Sequence, residues 1–315
     1  MKTLRTIILP LLFILSQSLI IPGALAAGAP LDGRISIQTF PTGANPNGLA
    51  FDGANIWVVN FTDNTLTKLR ASDGALLGTF PTGQTPNAAA FDGANIWVTN
   101  VSDDTVSKLR ASDGALLGTF PTGSEPRGIV FDGTNIWVAN QGDSTVTKLR
   151  ASDGAPRGTF PAGPQPVDMT FDGTNIWVSD QGDAITKLRA TDGAARGTFN
   201  GFNYPAGILF DGRNIWVANF GYIQNDDKVT KLRVRDGANL GSFHSGNGPL
   251  ALAFDGDTLW IVNTGGGNVT RMRPSDGALL GSPIRVGVGP TDIVFDGSSM
   301  WVSNSGDNTV SKITK

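Results

Sequence analysis

The side chains capable of acid–base or metal chemistry are few. The 315-residue chain has one histidine, His244, one glutamate, Glu125, and no cysteine. A two-histidine metal motif, a cysteine-ligated metal, haem attachment and thiol catalysis are all excluded. His244 is the only side chain that ordinarily titrates near neutrality. No nucleophile motif accompanies it, so the positioned base that general acid–base catalysis needs is missing. The formal net charge is −3, which does not favour a basic nucleic-acid footprint.

What remains are aspartates, amides and a few arginines and lysines. Two groups stand out because they break a repeated pattern. The first is Arg127, Asp168 and Asp292. Asp168 and Asp292 fall at a position otherwise held by Gly48, Ala88, Gly128, Gly207 and Ala251. Arg127, one residue earlier, is the only charge among Asn47, Asn87, Val167, Ala206, Leu250 and Thr291. Either Arg127 and Asp168 form an ion pair, or the three charges converge on a polar ligand or a divalent metal. The second group is Phe202, Tyr204, Phe220, Tyr222, Asp226, Asp227 and His244. It holds both tyrosines and the only histidine. Loop aromatics with an acidic rim suit a macromolecular contact; drift in a degenerating repeat is the alternative.

The elements that must position these residues follow from internal repetition. The pattern Phe-Asp-Gly-x-x-φ-Trp-φ starts at Phe51, Phe91, Phe131, Phe171, Phe210, Phe254 and Phe295, and holds all seven tryptophans. Each copy carries four short runs rich in Val, Ile, Leu, Thr, Phe and Trp, separated by Asp-Gly and similar turns. No stretch has a sustained helical period. Four strands per repeat of about 40 residues predict an all-β fold, a seven-bladed propeller of four-stranded blades. The chain ends on a third strand, and Asp32–Gly43 resembles a fourth. The N-terminal strand is therefore expected to complete the last blade and remove two open edges.

Recurring residues are expected to serve the blade. The tryptophans fill the gaps between sheets. Asn60, Asn100, Asn140, Asn219, Asn263 and Asn304, with Asp180 in the fourth copy, form local turns at the end of the second strand. Lys68, Lys108, Lys148, Lys187, Lys231, Arg271 and Lys312 are read as outer-edge charges that discourage strand pairing. Three glycosylation sequons begin at Asn60, Asn100 and Asn268. Before the propeller, Lys2 and Arg5, an apolar stretch and Ala24-Leu25-Ala26 read as a signal peptide over residues 1–26. Residues 27–315 then form a single domain, secreted or periplasmic and expected to be a monomer, with no membrane span after signal removal.

The repeat resembles the YVTN/NHL class of propellers. The likeness lies in P-x-G-φ-φ-F-D-G-x-N-I-W-V-x-N, followed by N-T-V-T-K-L and S-D-G, with IWVAN where that class often has VYVAN. It covers Asp32 to Lys315. The class includes periplasmic ligand- or DNA-binding propellers, streptogramin lyases and gluconolactonase-type lactonases. The resemblance implies fold more than function, because one scaffold hosts unrelated chemistries. The lyases resemble this chain in blade number, but their site uses more than one histidine with a carboxylate and magnesium. His244 and Glu125 alone cannot assemble it. The leading expectation is a non-catalytic propeller that binds a small-molecule ligand or protein partner through its top face, with no cofactor. The alternatives are a metal-dependent lactonase or lyase in the central channel, and an extracellular structural or adhesion module.

Overall fold

The structure is a computed structural model, and it describes residues 35–221 and 227–315. These residues form seven four-stranded antiparallel sheets. In each blade the strands run a to d from the central channel outward. Blade 1 shows the order: Pro46–Phe51, Asn55–Asn60, Thr65–Arg70 and Leu76–Pro81. Strands a begin at Pro86, Pro126, Pro166, Pro205, Pro249 and Pro290 in blades 2 to 7. The only helical turn among the described residues is a 3-10 turn at Val101–Asp103. The expected closure is present. Strand d of blade 7 is Ser36–Pro41, paired antiparallel with Thr309–Thr314 in a register from Ser36↔Thr314 to Pro41↔Thr309.

The core lies between blades. Trp57, Val59 and Leu66 of blade 1 pack against Ile96, Val98 and Leu109 of blade 2, and the other interfaces repeat this layer. Each tryptophan is fully buried. The Phe-Asp-Gly aspartate explains how its indole N–H is satisfied: Trp57 Nε1 donates to Asp52 Oδ2 at 2.8 Å, and Asp52 Oδ1 accepts the N–H of Ala54 and Asn55. A buried indole left unpaired would cost more than its hydrogen bond is worth. Phe80 closes the layer, 5.4 Å from Trp57, and reaches the Ser-Asp-Gly turn of the next blade. Gly114 in that turn has φ +75°, and a Cβ there would fall 2.1 Å from the Phe80 ring. Both conformation and space require glycine.

Two expectations about recurring residues are corrected. The lysines do not guard an outer edge, because strand c is an inner strand covered by strand d. Lys68 is buried, its Nζ 4.8 Å from the centre of the Trp57 ring, and it donates to Ala111 O at 2.6 Å in blade 2. Lys108, Lys148 and Lys312 repeat the arrangement, so each cation staples its blade to the next. The asparagines do more than local turns. Asn60 is buried, donates Nδ2 to Thr65 and Thr67 across the sheet, and accepts the N–H of Gly43 from the preceding loop. Asn60 and Asn100, which begin two of the sequons, are both buried.

Candidate functional site

The b–c and d–a loops share the top face, where strand a enters the channel. Strand a is bulged at that end in every blade, for example between Pro46 and Leu49 and between Pro166 and Asp168. A bulge re-aims the residues within it. Here it presents the two residues after each proline to the channel. Innermost strands approach closely: a Cβ on Gly128 would lie 2.7 Å from Asp168 Cα, and one on Gly48 2.7 Å from Ala88 Cα. Glycine or alanine thus prevails at this position for space, and the two aspartates need a specific account.

Both aspartates hold adjacent blades together. Asp168 accepts the N–H of Met169 at 2.8 Å and that of Ile208 in blade 5 at 3.0 Å. Asp292 accepts the N–H of Ile293 at 2.8 Å and that of Leu49 in blade 1 at 2.7 Å. Withdrawal from water raises both. Asp168 is pushed up to about 7, further raised by Asp292, and Asp292 to about 6. The N–H donors pull each back only in part. Each residue keeps some accessible surface because it lines the channel, while the ring of strands removes most of its hydration.

Arg127 and Asp168 form no ion pair within 4.0 Å, since Arg127 appears in none of the described salt bridges. Arg127 instead donates Nε to Gln141 Oε1 at 2.9 Å, and Gln141 passes its amide to Gln181 Oε1 at 3.1 Å. Desolvation lowers the guanidinium pKa, against the opposing influence of Glu125 and Tyr204. Asn47 donates to Asn87 at 2.8 Å, and the Arg127 carbonyl accepts from Thr99. Arg127, Asp168 and Asp292 all line one cavity of about 440 Å³ at the top of the channel. Its wall is polar over blades 7 and 1 to 3, through Thr291, Asp292, the asparagines, Arg127 and Gln141, and blade 4 adds Asp168 and Gln181. It is apolar at Val167, Ala206, Leu250 and Ala251.

Gln141 and Gln181 were not expected at the site. Their signal was present in the column after the strand-b asparagine, which reads Phe61, Val101, Gln141, Gln181, Phe220, Thr264 and Ser305. Only blades 3 and 4 place a glutamine there, beside the only arginine of its own column.

The blade-five group separates. Tyr204 and Phe220 face each other at 6.3 Å between ring centres, and Tyr204 holds a left-handed φ of 51°. Phe202 packs against the core cluster of Trp177, Ile185 and Ile208 rather than standing free on a loop. His244 is exposed at the outer end of strand d, paired with Lys228. Asp227 anchors Ser245 through its carbonyl at 2.8 Å. Tyr222 and Asp226 lie outside the described residues. Among the described residues no group of three or more His, Asp or Glu side chains converges as a metal cage.

A streptogramin B lyase structure superposes with a TM-score of 0.75 at 18% identity, covering 89% of this chain and 98% of the other. The chain is thus similar in fold to that propeller. A catalytically inactive virginiamycin B lyase from Staphylococcus aureus with quinupristin gives 0.76 at 18%, covering 89% and 99%. Hydrazine synthase of Kuenenia stuttgartiensis gives 0.73 at 18%, covering 86% and 96%. Identity at this level carries the architecture and no activity. No protein-family model matches the chain, and no curated protein sequence matches it.

Proposed function

We propose that this chain is a secreted or periplasmic, non-catalytic propeller that binds a small ligand in the top-face mouth of its channel. The carrying observation is Arg127. Its Nε is held by Gln141, no carboxylate among the described residues pairs with it, and it lines the cavity. A guanidinium presents five donors in a rigid fork suited to an oxyanion. Amide and hydroxyl groups on one wall and aliphatic groups on the other give the mixed lining common in small-molecule sites. Both aspartates of the cavity are already committed to backbone N–H groups of two blades, which supports a binding role over catalysis. The test is native mass spectrometry of protein recovered from envelope extract. Wild type should retain a small molecule that Arg127→Gln loses at unchanged melting temperature. Equal retention by both would end this reading.

A further inference from the structure

We propose that the ligand of the channel mouth is a small zwitterion of dipeptide size, its carboxylate on Arg127 and its ammonium toward Asp292. This rests on the binding role proposed above and names the ligand class. Arg127 stands on blade 3 and Asp292 on blade 7, half a ring apart across the same 440 Å³ cavity. Among the described residues Arg127, Asp168 and Asp292 are the only titratable side chains lining it, and Glu125 and Tyr204 act on Arg127 from other loops. One cation with a carboxyl across the ring on blade 7, and a second on the adjoining blade 4, is complementary to a molecule with a charge of each sign. A simple anion would satisfy Arg127 but add to the negative charge once the aspartates ionise. Each aspartate oxygen that accepts a backbone N–H keeps a second lone pair for an ammonium donor. Val167, Ala206 and Leu250 offer an aliphatic side chain a dry surface between the charged ends.

The pH dependence separates the ligand classes. Burial holds the two aspartates partly protonated near neutrality. Raising the pH creates negative charge on Asp292 opposite Arg127 and on Asp168 in the adjoining blade, which strengthens binding of an ammonium and weakens that of a lone carboxylate. The experiment is calorimetric titration of the full chain with alanyl-leucine, its N-acetyl derivative and its C-terminal amide, at pH 7.5 and pH 5. The free dipeptide should bind at pH 7.5, with either blocked form weaker by about tenfold or more, the loss expected for a missing charge-assisted contact. Its affinity should fall at pH 5. Asp292→Asn should flatten that pH slope, and Arg127→Gln should abolish the preference for the free carboxylate. If N-acetyl-alanyl-leucine binds as well as the free dipeptide and Arg127 is still required, the zwitterion is wrong and the channel-mouth role stands. If no member of the panel binds, the inference falls. The extract experiment with Arg127→Gln then decides separately whether the binding role falls with it.

Discussion

Asp180 shows how much one oxygen-for-nitrogen exchange can matter inside a repeat. It takes the place of a buried asparagine, Thr186 donates to its Oδ2 at 2.6 Å, and its Oδ1 is buried without a partner. Strand c compounds the change, because Ala184 stands where Thr145 of blade 3 offers a hydroxyl. Burial pushes Asp180 up to about 7, against an ordinary carboxylate near 4. A carboxyl raised on folding favours the folded state most when protonated, and that advantage is lost as pH rises from about 4 toward 7. Asp180→Asn should therefore stabilise the protein at pH 8 by roughly 1–4 kcal/mol, with little gain at pH 4. Denaturant unfolding at the two pH values checks this. The staple lysines make a second case. Lys108→Met keeps the aliphatic stem but leaves the carbonyls of Ala151 and Ser152 without their donor. Loss of about 1–3 kcal/mol is expected, measured by the same unfolding. The lysine column was plain in the sequence, yet its meaning was not. A charge recurring once per strand looks like a solvated edge until the sheet order places strand c inside, where the ammonium must find carbonyls on another blade.

Strands and turns were far more legible than bonds. Asp-Gly turns and seven tryptophan motifs define the blades, and even the closing strand follows from matching Asp32–Gly43 to an internal copy. Alignment of copies also located Asp168 and Asp292, because space at the strand-a bulge excludes most side chains. What it could not give was their partners, the N–H groups of the neighbouring blade, since these depend on how far the innermost strands approach. The closing strand is testable as an equal of the others. Phe40 lies 5.4 Å from Trp301, the same separation as Phe80 from Trp57. Phe40→Ala and Phe80→Ala should each cost about 2–4 kcal/mol. A negligible effect of Phe40→Ala in thermal unfolding would show that the N-terminal strand contributes no interface of its own. Blade 6 is the weak member of the set. Its strand d is reduced to Ile284–Arg285, Ile284 occupies the phenylalanine position, and Arg271 buries an Nε without a partner. Lys315 instead covers Trp260 and pairs with Asp255 at 2.5 Å.

Seven interfaces of one kind make a ring whose stability is shared; several departures from repetition line the channel mouth, and the closing strand pair forms a seam. Single side chains on strand a change the chemistry of the opening while the framework of strands repeats. The seam has another consequence, in mechanics. Ser36 faces Thr314 across the last strand pair, so both ends of the described chain leave the sheet side by side. Tension applied through residues 35 and 315 loads the ladder one rung at a time, from Ser36↔Thr314 toward Pro41↔Thr309, instead of shearing all rungs together. The molecule should be stable to heat and denaturant yet peel at low force when stretched between its ends. In optical-tweezer pulling, the six residues of the closing strand should release first, before any blade gives way.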